Sequence, residues 1–345
     1  MAGKKSRIKK VILAILIIFM VLIGSALIAS ALFLMGKQKM TSMEEVKIEP
    51  PKELQVASEN NGKTVIYNGE TYYLNEKITS ILCIGVDKDD MDVQEKVGYG
   101  GQADSLFLAV LDGQNQKMGI IGISRDSMVG VDIYDTAGNF VETKEKQICL
   151  SYAYGDGRES SCKNTLLSAS RLLYGVPIHG YVTIDMDAIG ELTDFVGGVK
   201  INPAEEDRKY FDFSLGKKGE VLINGTEAEV FVRYRDITSL ESNNERIRRQ
   251  KTFLIAFANT VLAKTKEDLT TPVRLFQEIS DEVITSLSVA DISYLASQAV
   301  NCSISMDNLT VIQGEVKSDG TYAEFYPDQT ALYELILETF YTKAR

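Results

Sequence analysis

The chain has 345 residues, of which 45% are hydrophobic, ample for a packed core and incompatible with a disordered chain. Its net charge of −11 becomes −16 once the five basic residues of positions 1–10 are set aside, which argues against general nucleic-acid binding by the remainder. Four cysteines, Cys83, Cys149, Cys162 and Cys302, are too few for a disulfide framework, and none has the CxxC spacing of a structural zinc site. A single Cys149–Cys162 pair stays open.

In chain order, Lys4, Lys5, Arg7, Lys9 and Lys10 precede a run from Val11 to Met35, 25 residues without a charge. As a helix this run spans the roughly 30 Å of a bilayer's hydrocarbon. A cleaved signal peptide is the alternative, but its apolar core is only about 7–15 residues long, so an uncleaved anchor is expected. Positions 1–10 then form a cytoplasmic tail, 11–35 a transmembrane helix, and the rest lies outside the cell membrane. Lys37 and Lys39 place some positive charge on the outer flank as well. Positions 36–77 are polar, contain Pro50-Pro51 and read as an extracytoplasmic stalk with one short hairpin at Asn68-Gly69. The globular domain is expected over 78–345.

Within it, Ser80 to Val86, Ser105 to Asp112 and Met118 to Ser124 are short apolar runs, as expected of strands buried on both faces. A further strand is expected over Gly180 to Asp185. Helical periodicity marks Asn164 to Leu173, Ala188 to Val196, Glu245 to Ala263, Val273 to Thr285, Ala290 to Asn301 and Asp328 to Thr339. This alternation predicts an α/β fold: a three-layer α/β/α domain with a central mixed sheet.

Chemistry concentrates in Val230-Phe-Val-Arg-Tyr-Arg235 and in Arg246, Arg248, Arg249, Gln250 and Lys251, a basic segment inside an acidic domain. If the first segment is extended, Arg233 and Arg235 share a face. On a helix Arg246 and Gln250 share one, with Arg249 angled away and Arg248 nearly opposite. Such guanidiniums match phosphate oxygens bidentately, although solvated helix charges and surface ion pairs explain the composition equally well. Arg125, in Ile123-Ser-Arg-Asp126, follows an apolar strand, and open α/β sheets place ligands at strand ends. An ordinary salt bridge to Asp126 is its alternative.

Asp87 leaves one apolar run and Asp104 enters the next, so the two meet if those strands are adjacent and antiparallel. Two carboxylates plus substrate phosphates suit magnesium, but aspartates at strand ends are also common turn formers. His179, the only histidine, reads as structural. No GxSxG, Walker-type loop or GxGxxG accompanies it, so neither a serine hydrolase nor a nucleotide-dependent reaction is supported.

Nine motifs in one order now stand out: Ile84-Gly-Val-Asp87, Ala103-Asp-Ser105, Ile123-Ser-Arg-Asp126, Ser151-Tyr-Ala-Tyr-Gly155, Tyr181 to Asp187, Val196-Gly-Gly-Val199, Leu222-Ile-Asn-Gly225, Val232-Arg-Tyr-Arg235 and Arg246-x-x-Arg-Gln250. Together they resemble the LytR-CpsA-Psr family across positions 81–251, with a weaker match through Val283-Ile-Thr-Ser-Leu287 and Tyr326-Pro-Asp328. The resemblance implies a phosphotransferase that moves a glycopolymer (teichoic acid, capsule or similar) from a polyprenyl-pyrophosphate carrier, held in a long apolar pocket, to N-acetylmuramic acid of peptidoglycan. It implies magnesium at Asp87 and Asp104, and pyrophosphate contacts from Arg125, Arg233, Arg235, Arg246 and Gln250. Arg125, Arg233 and Arg235 would carry catalysis.

Two positions depart from the family pattern. Gln102 stands where many members have a basic residue, removing one phosphate contact. Asn243 stands where many have an acid, leaving Asp126 as the substitute base. The runner-up function is therefore a non-catalytic polyprenyl-phosphate-binding or regulatory envelope protein, and hydrolysis to free polymer differs from transfer only in its acceptor. Leu166 to Leu173 and Ile189 to Val196 are candidate lipid-lining stretches, with ordinary core as the alternative.

Overall fold

The computed structural model describes residues 31–41, 47–86, 96–185, 188–205, 207–208, 219–234, 242–318 and 322–344. Of the expected membrane helix only 31–35 fall among these, within a helix α1 (31–41), and no described helix is long and apolar enough to cross a membrane.

The stretch expected as a stalk contains three strands: β1 (Ala57–Glu59), β2 (Thr64–Tyr67) and β3 (Glu70–Leu74). Asn68 and Gly69, with φ of 52° and 78°, make the expected hairpin turn between β2 and β3. Val65 and Tyr67 are buried in the main core, so this segment packs as part of the fold.

Four central strands follow the apolar runs of the sequence: β4 (Ile78–Val86), β5 (Ala103–Asp112), β6 (Lys117–Ile123) and, beyond an outer hairpin and two helices, β9 (Gly180–Asp185). The hairpin is β7 (Met128–Tyr134) with β8 (Phe140–Gln147), and the helices are α2 (Leu150–Ala153) and α3 (Glu159–Leu172). Next come α4 (Ala188–Phe195), the pair β10 (Val199–Ile201) and β11 (Val221–Ile223), α5 (Gly225–Arg233), and the 26-residue α6 (Ser242–Glu267). The chain ends with α7 (Thr271–Glu278), β12 (Val283–Thr285), α8 (Val289–Ala299), β13 (Leu309–Val311), the hairpin β14 (Gly314–Ser318) and β15 (Ala323–Pro327), α9 (Gln329–Phe340) and β16 (Tyr341–Lys343). The helix expected over Val273 to Thr285 thus stops at Glu278, and its last residues are an edge strand.

The central sheet has the order β12-β9-β4-β5-β6-β13, with β4–β9 and β6–β13 parallel and the other pairs antiparallel, a mixed sheet. Because strand side chains alternate, β4 divides cleanly between two faces. Leu82, Ile84 and Val86 pack with Cys162, Ala169 and Leu172 of α3 and Leu332, Tyr333 and Ile336 of α9. Ile81 faces Tyr294 of α8, and on the same side Phe107 and Ile120 meet Leu254, Ile255 and Leu262 of α6. Helices therefore cover both faces of the sheet.

At the chain's two ends, β16 pairs with β3 and the Tyr341 hydroxyl donates to the Gly62 carbonyl at 2.7 Å. All four cysteines are free: Cys149 and Cys162 do not pair, and the Cys162 thiol lies 3.1 Å from the Thr183 hydroxyl. His179 accepts from the Ser80 backbone N–H through Nδ1 at 3.1 Å, and burial lowers its pKa, consistent with a neutral structural role.

Candidate active site

The strands that carry the two aspartates are adjacent and antiparallel, as the sequence argument required. Val86, the residue before Asp87, pairs with Ala103, the residue before Asp104, across a bulge at Gly85/Val86. Asp87 itself lies outside the described residues. Asp104 is the second residue of β5, and the end of the adjacent β6, on the same edge of the sheet, delivers Arg125.

Arg125 Nη1 donates to Asp104 Oδ1, and Nη2 donates to Gln102 Oε1. The salt bridge considered between Arg125 and Asp126 is only marginal, with Nε 4.0 Å from Oδ1. Gln102, where the family pattern implies a lost phosphate contact, instead orients the guanidinium through its side-chain carbonyl. The backbone at this corner is pinned on both sides: the Cys149 N–H donates to the Arg125 carbonyl at 3.1 Å, and the Phe325 N–H to the Asp126 carbonyl at 2.8 Å. Burial raises the Asp126 carboxyl above the ordinary carboxylate range, outweighing the nearby Arg125 charge, so Asp126 holds a proton more readily than a surface aspartate.

The second half of the site is built by α5 and α6. Val230 to Arg233 is the last turn of α5, so the extended reading is corrected as far as Arg233. Arg233 is exposed at the helix end, where a cation complements the helix dipole, and Arg235 lies outside the described residues. The sequence signal for this helix was the capping box Asn224-x-x-Glu227: Asn224 Oδ1 accepts from the Glu227 N–H at 3.0 Å while Glu227 Oε2 accepts from the Asn224 N–H at 2.9 Å.

Arg246 and Gln250 stand one turn apart on α6, and Gln250 Nε2 reaches the carbonyl of Val232, next to Arg233, at 3.4 Å. Two other arginines of the cluster serve the fold. Arg249 is 1% exposed; its Nε donates to the Phe231 carbonyl at 2.9 Å, its Nη1 to Asp207 at 3.0 Å and its Nη2 to the Tyr234 carbonyl. Arg248 grips both oxygens of the same Asp207 at 3.0 Å. Asp207 as their shared partner was not anticipated, because an aspartate about 40 residues upstream carries no local signal.

Between the sheet and α4, α5 and α6 lies a cavity of about 210 Å³ with almost wholly apolar walls, among them Cys83, Phe107, Val182, Leu192, Phe253 and Phe257. Ser105, adjacent to Asp104, and Gln250 and Val232 also line it, which places it beside the charged corner. A second apolar cavity of about 380 Å³ lies further along β4 and β5 beneath α6 and α8, and Phe257 borders both. Of the two candidate stretches, Ile189 and Leu192 line the first cavity, while Leu166, Ala169, Leu172 and Leu173 pack in the core on the opposite face. Among the described residues no group of three or more His, Cys, Asp or Glu side chains forms a metal cluster.

Comparison with known proteins agrees with this architecture. The chain is 28% identical over 239 residues to the polyisoprenyl-teichoic acid--peptidoglycan teichoic acid transferase TagV of Bacillus subtilis, covering 63% of this chain and 55% of that protein. It is 26% identical over 229 residues to TagU, of the same description, from Enterococcus faecalis, covering 64% of this chain and 66% of that one. The chain thus spans between half and two thirds of the length of these relatives. The crystal structure of B. subtilis TagV superposes with a TM-score of 0.54 at 25% identity, covering 77% of this chain and 96% of that one. The model of the LytR_cpsA_psr family matches residues 32–338, nearly the whole described fold, and the chain belongs to that family.

Proposed function

We infer that the chain is a phosphotransferase that takes a glycopolymer from a polyprenyl-pyrophosphate carrier and joins it to the N-acetylmuramic acid of peptidoglycan. One observation carries the reading: an arginine–aspartate corner lies next in sequence to Ser105, which with Gln250 lines an apolar cavity that shares Phe257 with a second one. That arrangement suits an amphiphile with a diphosphate head and a hydrocarbon tail. The names of the relatives, transferases of teichoic acid, support the same class.

In the proposed reaction a glycan hydroxyl attacks the sugar-side phosphorus. A new O–P bond forms, the bridging P–O bond to the lipid-side phosphate breaks, and polyprenyl monophosphate leaves with the electron pair. Arg125, with Arg233, Arg235, Arg246 and Gln250, holds the phosphate oxygens and their developing charge. Asp126, its carboxyl raised by burial, accepts the hydroxyl proton. Asp104 with Asp87 would hold magnesium, which when bound neutralises phosphate charge and keeps several waters. The pairing of Val86 with Ala103 and the hard carboxylate donors fit that ion. Positions 11–35 would anchor the enzyme in the cell membrane with the catalytic domain outside.

The test is to incubate the full chain in detergent micelles with a polyprenyl-pyrophosphate disaccharide, magnesium and a peptidoglycan fragment, and to measure released polyprenyl monophosphate and glycan-linked product. Both should appear together. Saturable lipid binding without turnover, under any divalent metal, leaves a lipid-binding envelope protein and removes the enzyme.

A further inference from the structure

The helix α1 is clasped to the domain. Phe33, Gly36 and Met40, spaced i, i+3 and i+7, make one face of the helix, and that face lies on α8. The Phe33 ring meets Tyr294 edge-on at 5.6 Å between centroids, and Met40, 1% exposed, packs with Ile81 and Tyr294. Gly36 stands so close to Ala290 that a Cβ there would overlap its carbonyl. Lys39 closes the contact: its Nζ donates to Asp291 Oδ2 at 2.6 Å and to the Ser286 carbonyl at 2.8 Å. Asp291 is 1% exposed and completes the capping box of α8 with Ser288, so the ion pair is tied to the start of that helix.

This contact brings the domain to the edge of the apolar run. Phe33 belongs to the uncharged stretch Val11 to Met35, and Lys37 and Lys39 follow it. The change from apolar to basic therefore falls inside the docked helix, as it does where an anchor passes from hydrocarbon to headgroups. The outer face of α1 agrees: Leu34 and Met35 are 61% and 63% exposed, left uncovered by the domain and suited to acyl chains. Tyr294, in contact with Phe33, then sits at the level where tyrosine rings gather in membrane proteins.

The sheet supplies the direction. With Phe33 beside Tyr294 and Lys39 beside Ser286, α1 and α8 run antiparallel, so the apolar end of α1 points toward the C-terminal end of α8. There Gln298 packs against Gly113, the residue after β5, at the opposite end of that strand from Asp104. The second apolar cavity has Leu295, Ala296 and Ala299 of α8 and Leu111 of β5 in its walls, and the first reaches Ser105. From Leu111 to Ser105 is about 20 Å of strand.

We propose that α1 is a rigid clasp that seats the α8 end of the domain on the outer surface of the lipid bilayer and holds the Arg125 corner at the opposite end of the sheet, facing away from the membrane. A carrier lipid then leaves the bilayer beside α8, its tail lies along the two cavities, and its head is lifted about 20 Å to the corner. The seating rests on positions 11–35 being the anchor and the lipid's path on the transferase reading, whereas the orientation itself requires no turnover.

The chain has no tryptophan, so one introduced ring reports a single place. Ser293→Trp, on the partly exposed side of α8 next to Tyr294, and Tyr99→Trp, 76% exposed just ahead of β5 at the corner end, are each made in the full chain. The proteins are reconstituted in phosphatidylcholine–phosphatidylglycerol vesicles, with and without lipids brominated near the carboxyl end of the acyl chain. Brominated lipid should remove about half or more of the Ser293→Trp fluorescence and leave Tyr99→Trp unchanged. Adding Gly36→Leu, which forces α1 off Ala290, or Lys39→Glu, which sets a carboxylate against Asp291, should reduce that quenching several-fold while the melt stays cooperative and the chain still sediments with the vesicles. Quenching of both rings, of neither, or indifferent to the clasp variants overturns the seating. So does a Ser293→Trp ring shielded from aqueous iodide yet untouched by brominated lipid, the result of a second copy of the chain covering this face. A chain that fails to sediment loses the anchor and the seating together, whereas the expected quenching in a chain without transferase activity retains the seating and removes the enzyme.

Discussion

Arg125 occupies a position where geometry and chemistry can be separated experimentally. Its guanidinium spans Asp104 and Gln102, and its own carbonyl is held by the Cys149 N–H, so the backbone keeps its course whatever the side chain. Arg125→Ala should lower release of polyprenyl monophosphate by about 100-fold or more, the scale of losing one charge-stabilising donor, with the thermal melt nearly unchanged. Activity that disappears only together with the fold would return Arg125 to a structural role. Asp126 makes the complementary case. Its folded-state pKa is raised, so the native state binds more protons than the unfolded chain, and stability falls as pH rises from the unfolded carboxylate value, 3.8, through the folded one. At neutral pH that destabilisation is fully present. Asp126→Asn should therefore melt no lower than wild type at pH 7 and lose any advantage below the unfolded value, while transfer fails. If the proposed reaction holds, transfer by the wild-type chain should decline as acid protonates the same carboxyl.

At the scale of elements, α5 and α6 meet over a buried charge whose removal has a calculable direction. Asp207 holds Arg249, which is 1% exposed and also caps two carbonyls of α5 and its exit, Phe231 and Tyr234. Breaking a buried pair by deleting one partner typically costs about 3–5 kcal/mol, because the other charge is stranded. Asp207→Ala should approach that in a urea melt, whereas Asn224→Ala, which removes only a helix cap, should cost about 1 kcal/mol. Similar small losses from both would mean that Arg249 finds other partners. These elements also show what a single sequence discloses. The strands β4, β5, β6 and β9 were legible because burial on both faces leaves an unbroken apolar run, and α6 because its periodicity is long. The strand β12 was absorbed into the preceding helix: Val283-Ile-Thr285 is too short to establish a period of two. The last turn of α5 reads as extended chain because Val-Phe-Val-Arg-Tyr favours strands, and only the capping box Asn224-x-x-Glu227 ahead of it signals a helix. For the site, Asp104, Arg125 and Gln250 were identifiable from strand ends and helix spacing, but the pairing of Gln102 with Arg125 and of Asp207 with Arg249 depends on long-range contact that no local pattern encodes.

Across the whole molecule, the two ends of the described chain are one packing unit, and this decides where the domain begins. The segment ahead of Ile78 is polar in composition because its strands bury only alternate residues, yet Val65 and Tyr67 contact the core, and Tyr67 stacks edge-on against Tyr333 of α9 at 5.5 Å. The β3–β16 pairing, the Ile48 N–H donated to Asn61 and the Glu49 N–H donated to Tyr174, at 3.0 and 2.9 Å, tie the same segment to the rest. A chain starting at Ile78 would expose the faces of Tyr333, Phe340 and Tyr341 and leave β16 an unpaired edge. Burying each large side chain contributes roughly 1.5–3 kcal/mol, so losing two or three such contacts consumes much of the about 5–15 kcal/mol that holds a domain folded. Expressed from Lys47, the protein should melt cooperatively and stay monomeric; expressed from Ile78, it should aggregate or melt at least 10 °C lower by calorimetry. Equal stability of the two would show that the N-terminal strands merely decorate the central sheet, and that the apolar cavities under α6 stand without them.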